Sequence, residues 1–258
     1  MLDSITDAGA EAQDQIAISG SHGGIYPAAV ASAAGLRGVA FNDAGIGFQD
    51  AGIAGVMALD TVGMAAIAVD CQTCRIGDAH DMIRRGRISS VNHAAESLGL
   101  GVGMTVEDAI TRLENAPSPR GKLPKVTEAR SSVRLPGGAL VQLLDSASLV
   151  GPQDQDAIVV TGSHGALIGG DPARALKAKA RIAVFNDAGV GIESIGITRL
   201  PALDDRGVAA VTVSAATARI GDAASALETG VISHTNELAA KLGARVGAQL
   251  GGWLDTQG

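Results

Sequence analysis

Aromatic residues are nearly absent, with three Phe, one Tyr and one Trp in 258 positions. Basic charge is short as well, since the net charge is −7 and the pI lies near 5.2. Nucleic-acid readers carry a basic stripe and often stack bases on aromatic rings, so both shortages argue against that partner. Cysteine occurs only at Cys71 and Cys74, as one C-x-x-C pair. No second pair completes a metal site and no thioredoxin-like turn leads into a helix, so both read as small core or rim residues. No uncharged run approaches the ~20 residues of a membrane span. The first fifteen residues lack the basic and apolar regions of a secretory leader. The expectation is a cytoplasmic protein with no membrane partner, no metal and no cofactor.

What is present is aliphatic. Hydrophobic residues make up 46% and charged residues 18%, and the mean hydropathy is +0.24. Such a chain can bury a sizeable interior and has no composition for disorder.

Two long segments match each other. "LDSITDAGAEAQDQIAISGSHGG" lies over "LDSASLVGPQDQDAIVVTGSHGA" with an offset of 142 (164 minus 22). "GVAFNDAGIG" lies over "IAVFNDAGVG" with an offset of 144 (186 minus 42), and "CRIGDAHDMIRRGRISSVNHAAESLG" over "ARIGDAASALETGVISHTNELAAKLG" at the same offset. A period this long predicts duplicated lobes, because solenoid repeats run ~20–50 residues. The expected division is a first α/β repeat over 1–108, a linker with one short strand over 109–143, and a second repeat over 144–258. Thr105, with Asp108 three residues on, predicts a capped helix at the end of the first repeat.

Each repeat alternates short apolar runs with helical segments. "IAIS" or "AIVVT", "GVAF" or "IAVF", and "MAAIAV" or "VAAVTV" read as buried strands. A helix is expected after the first strand, begun at Pro27 in one repeat and by Asp171-Pro172 in the other. A helical pair ending at Gly99 or Gly243 closes each repeat. The expected fold is α/β: an internal duplication of a three-strand, Rossmann-like βαβαβα half, with parallel sheets and pseudo-twofold symmetry.

The repeats keep three blocks, each at the end of an expected strand, where α/β sheets carry their sites. In "GSHG", Gly23 and Gly165 let backbone N–H groups approach a ligand, and Ser21 or Ser163 could be a nucleophile or only a turn cap. His22 and His164 suit proton transfer and add little to a turn. In "FNDAG", Asn42 and Asn186 could donate to an oxyanion, and Asp43 and Asp187 could orient a histidine or act as acid or base. The competing reading is a local Asx turn. In "RIGDA", Arg75 and Arg219 suit a carboxylate or phosphate, or else an ion pair with Asp78 or Asp222. His234 stands beside a Ser-x-x-Asn frame that both repeats share. A metal held by these His and Asp residues ranks below a metal-free site, because their spacing matches no metal signature.

Together the blocks predict an enzyme for a small polar or anionic metabolite, first of all a hydrolase of an amide-, imide- or lactone-like bond. The alternatives are a metal-free acid/base isomerase or lyase, or a non-catalytic small-molecule binding protein. Ala- and Gly-rich helices of low charge also fit a homo-oligomer.

Overall fold

The strands separate into two sheets in the computed structural model, which describes residues 1–258. The chain divides into two compact units. Unit 1 is Met1–Ile46, Asp50–Thr127 and Gly191–Glu193, and unit 2 is Gly47–Gln49, Glu128–Val190 and Ser194–Gly258.

Unit 1 runs β1 (Ile16–His22), α1 (Ile25–Ala33), β2 (Gly38–Asn42), α2 (Ala54–Ala58), β3 (Ala65–Val69), α3 (Ala79–Arg85), β4 (Ile88–Val91), α4 (His93–Glu96) and α5 (Val106–Leu113). The sheet order is β1-β2-β3-β4, the first three strands parallel and β4 antiparallel to β3. Every residue of β2 and β3 is buried, as continuous apolar runs in a doubly covered sheet require. Ala40, Ile67 and Val69 face one core cluster with Met82 and Leu113, while Val39, Phe41, Ala66 and Ala68 face another with Val56 and Leu59. Thr105 caps α5 as its sequence predicts, its hydroxyl accepting from the Asp108 N–H at 3.1 Å.

Unit 2 runs β5 (Arg130–Arg134), β6 (Leu140–Leu144), β7 (Ile158–His164), β8 (Ile182–Asn186), α6 (Arg199–Asp205), β9 (Ala209–Val213), α7 (Ala223–Thr229), β10 (Ile232–Thr235), α8 (Glu237–Lys241) and α9 (Leu250–Asp255). Its sheet order is β10-β9-β8-β7-β6-β5, with both edge strands antiparallel to their neighbours. Arg130 holds the outer strand in place by donating to the fully buried Asp154 at 2.6 and 3.1 Å.

The observed fold is therefore α/β with two mixed, mostly parallel sheets of four and six strands, and it corrects the expectation of all-parallel three-strand halves. "ISSV" and "ISHT", read within a helical pair, are antiparallel edge strands with only their isoleucines buried. The stretch expected to hold one short strand holds two, β5 and β6. In unit 2 no α-helix follows β7, only two three-residue 3-10 turns, Ile168–Gly170 and Pro172–Arg174, the second capped by Asp171. Gly169 and Gly170 take left-handed φ of +63° and +68°. No helix is long and apolar enough to cross a membrane.

Candidate functional site

The Gly-Ser-His of "GSHG" is the last stretch of a strand, and only Gly23 and Gly165 lie beyond it. β1 runs through His22 and β7 through His164, each with an irregularity between its third residue and the histidine. None of Gly20, Gly23, Gly162 or Gly165 has positive φ, so close packing and not backbone conformation requires them. A Cβ on Gly20 would lie 2.7–2.8 Å from backbone atoms of Asp78, Asp3 and Gly77. The Gly77 N–H donates to the Gly20 carbonyl at 2.8 Å, and Gly221 to Gly162 at 2.7 Å. The "RIGDA" segment therefore crosses "GSHG" backbone to backbone, and a side chain would separate them. A Cβ on Gly23 would meet the Gly52 carbonyl at 2.8 Å, and one on Gly165 would fall on that of Gly196.

The serines are engaged locally. Ser21 Oγ accepts from the Ile5 N–H at 3.0 Å, and Ser163 Oγ from the Ala147 N–H at 2.9 Å. Each hydroxyl thus ties an entering segment to its sheet.

The histidines are set up alike. His22 Nδ1 accepts from the Gly24 N–H at 3.2 Å and His164 Nδ1 from the Ala166 N–H at 3.3 Å. An accepting Nδ1 carries no proton, so the neutral ring bears its proton on Nε2. Burial pushes the His22 pKa down to about 4, with no carboxylate opposing it. At neutral pH His22 is a hydrogen-bond donor through Nε2 and not a charged group.

His22 pairs in register with Asn42 of β2, and His164 with Asn186 of β8. Both asparagines are buried and used in folding. Asn42 Oδ1 accepts from the Ala44 N–H at 2.9 Å, and its amide donates to Cys74 Sγ at 3.5 Å. Asn186 makes the same turn bond to Ala188 at 2.9 Å and donates to the Ala218 carbonyl at 3.0 Å. The next residue fastens two strand ends together. Asp43 Oδ1 accepts from Gly45 at 2.9 Å and Cys71 at 3.0 Å, and Asp187 Oδ1 from Gly189 at 3.0 Å and Ala215 at 2.9 Å. The Asx-turn geometry is therefore realised at all four positions. Oδ2 of each aspartate lies outside these bonds.

The turn behind each Asn-Asp pair was missed by sequence reasoning. Ala44, Gly45, Ile46 and Gly47 have φ of +48°, +74°, +61° and +75°, and Ala188, Gly189, Val190 and Gly191 have +49°, +73°, +63° and +68°. Four successive left-handed residues make a turn of the wrong hand for L-amino acids, at about 1–2 kcal/mol for each non-glycine. A β-branched residue there is a true outlier, and such strain collects at functional sites. The available signal was Ala-Gly-x-Gly directly behind an Asn-Asp pair. Gly45 is exposed with φ +74°, so Gly45→Ala is expected to lower stability by about 1–2 kcal/mol, read as a fall in the denaturant midpoint.

No family model, curated protein or solved structure matches this chain. Its chemistry rests on its own geometry.

The units differ at the third strand end. In unit 1, ligand atoms of Asp43, Asp70 and Cys71 all lie within 4.8 Å of one another, a trio that could hold a divalent cation. Unit 2 has Ser214 and Ala215 at the positions 144 residues on. Burial, then the Asp43 carboxylate, pushes the Cys71 thiol up to about 12, and burial raises Cys74 as well. Without a cation both thiols stay protonated at neutral pH and neither is a thiolate nucleophile.

The arginines have partners. Arg75 pairs through Nε and Nη2 with Glu193, which also takes Arg85 at 2.9 Å. Arg219 pairs with Asp222 at 2.7 Å and donates to Gln49 Oε1 at 2.7 Å. Asp78 and Asp222 cap α3 and α7. His234 lies on β10 opposite Thr212, with a buried Nδ1 that has no hydrogen-bond partner. Asn92 and Asn236 of the shared frame are helix caps whose amides also donate into the core.

Proposed function

We propose that the strand-end rim of unit 1 is the active site of an enzyme acting on a small carbonyl compound, and that it hydrolyses an amide-, imide- or lactone-like bond. One observation carries this reading: His22 is fixed as a neutral donor, with Nδ1 engaged by the Gly24 N–H and its pKa near 4. A neutral imidazole that presents N–H to a carbonyl oxygen polarises it and stabilises the developing oxyanion. The partner base is Asp43, one residue beyond the Asn42 that pairs with His22. Its Oδ1 is held by two N–H groups, and its Oδ2 takes a proton from the attacking water. The amides of the two asparagines donate to Cys74 and Ala218, and the Gly23 and Gly165 N–H groups, expected to meet a ligand, donate instead to the Asn42 and Asn186 carbonyls at 2.9 and 2.8 Å, so oxyanion stabilisation rests on the His22 Nε2–H.

The matching segments support descent of the two units from one duplicated half, with the reaction in unit 1. Unit 1 has Asp70 and Cys71 beside the aspartate where unit 2 has Ser214 and Ala215. A second reading uses the same two groups. If Asp43 takes a proton from carbon next to the polarised carbonyl, the enzyme is an isomerase or lyase.

A panel of small amides, cyclic imides and lactones in 18O-labelled deuterium oxide tests the proposal. Label in the product supports hydrolysis, and solvent deuterium at carbon without 18O supports the second reading. Absence of turnover, or full turnover in a folded His22→Asn variant, overturns both.

The histidine also sets a pH dependence. Its folded pKa is below its unfolded value of 6.5, so between pH 6.5 and 4 the unfolded chain binds the extra proton. Stability is therefore retained above pH 6.5 and lost as the pH falls toward 4, by about 2–3 kcal/mol from this group. The difference in melting temperature between pH 7.5 and pH 4.5 should be smaller in His22→Asn than in the native protein.

A further inference from the structure

Unit 2 buries a full positive charge with no negative one beside it. Arg199, the first residue of α6, is 4% exposed. Its Nε donates to the Ala166 carbonyl at 3.0 Å and its Nη1 to the Ala175 carbonyl at 2.5 Å. The guanidinium lies over the Phe185 ring, 5.0 Å from the centroid. No carboxylate pairs with Arg199, and the one charged group that acts on it is the like-charged Arg174. Two carbonyls and a ring face offset part of the cost of burying a cation, and the remainder calls for an anion. In unit 1 the residue 144 positions earlier is Gly55, packed so closely on Gly24 and Ala28 that it has no room for a side chain.

The segment around Arg199 is built in the same sense. Residues 166–181 hold Arg174, Lys177, Lys179 and Arg181 against one acid, Asp171. That carboxylate is used in capping the Ala173 N–H at 2.9 Å. Arg174 is exposed, and its Nη1 reaches within 3.9 Å of where a Cβ would stand on Gly169. In that turn the Gly170 and Asp171 N–H groups reach carbonyls only at 3.5 and 3.4 Å, so both are weakly satisfied donors. No side chain covers Gly170, where a Cβ would meet nothing within 4 Å. Burial, with Arg174 adding to it, lowers the Arg199 pKa only to about 10, so the charge persists at neutral pH.

We propose that this segment of unit 2 is a binding site for a small oxyanion, a carboxylate or a phosphate. Arg199 holds it from the buried side, Arg174 from the solvent side, and the Gly169–Gly170 turn supplies N–H donors. The site does not depend on the chemistry proposed for unit 1.

The test is thermal melting of the full chain in inorganic phosphate or acetate, against chloride at equal ionic strength. A saturable rise in melting temperature with either oxyanion, absent in chloride, is the expected result. Arg174→Ala should weaken the apparent affinity at least tenfold. Arg174→Glu places a carboxylate where the anion would sit, so it should raise the melting temperature without added anion and abolish the response. A response equal to that of chloride, or an undiminished one in Arg174→Glu, overturns the proposal. Position 174 is exposed, so neither variant threatens folding.

Discussion

Gly52→Ala is expected to destabilise the protein by about 4 kcal/mol or more, and Gly196→Ala by as much. A Cβ on Gly52 would fall on the Asp43 carbonyl and lie 3.0 Å from that of Ile46, and one on Gly196 would fall on the Asp187 carbonyl and lie 2.9 Å from that of Val190. The obstruction is backbone, so no rotamer change relieves it. Nor can the loop retreat. The Asp43 N–H donates to the Val69 carbonyl at 2.8 Å, the Ile46 N–H to Asp43 at 2.8 Å, and the Gly52 N–H to Ile46 at 2.8 Å. Any outward shift breaks these bonds and disturbs a turn that is already left-handed, which places the change among the rare large effects. Gly101→Ala is the control, since its Cβ would meet nothing within 4 Å. Denaturant midpoints should fall sharply for Gly52→Ala and Gly196→Ala and stay within about 0.5 kcal/mol for the control. Equal midpoints would mean that the left-handed turn is not held as described.

How much of this could be read beforehand depends on what each residue signals locally. The central strands were legible because "GVAF" and "MAAIAV" are continuous small-aliphatic runs, which only a sheet covered on both faces explains. The Thr105 cap was legible because hydroxyl and carboxylate stand three residues apart. β4 was not, since "ISSV" buries one residue in four and carries no strand period long enough to see. The missing helix of unit 2 was hidden by "ARALKAKA", whose composition favours a helix. Two glycines and Asp171-Pro172 ahead of it, together with Arg199 bonding to carbonyls at both ends of the loop, decided otherwise. In the site, the types of residue were legible and their atoms were not. The motif named serine and asparagine as candidates, yet Ser21 Oγ and Asn42 Oδ1 each accept a backbone N–H. Which nitrogen of His22 carries the proton depends on the Gly24 N–H, a backbone group with no signature in sequence.

Asp43→Asn is the second large effect, expected to lower kcat by about 10²–10⁴-fold while the fold persists. The substitution is nearly isosteric, and an asparagine Oδ1 can still accept from the Gly45 and Cys71 N–H groups that Asp43 now engages. What is lost is the basic oxygen, so KM should change little against kcat. The loss of a proton acceptor also predicts that activity recovers slowly with rising pH, as hydroxide replaces the missing base. Asp187→Asn is the matched comparison, because its carboxylate makes the same two bonds, to Gly189 and Ala215, with Ser214 and Ala215 where unit 1 has Asp70 and Cys71. If unit 1 carries the reaction, Asp187→Asn leaves kcat within a few-fold of native. A drop equal to that of Asp43→Asn would mean that both aspartates serve catalysis. Native activity in both variants would leave the carboxylates only the task they share, holding a left-handed turn against the end of the next strand.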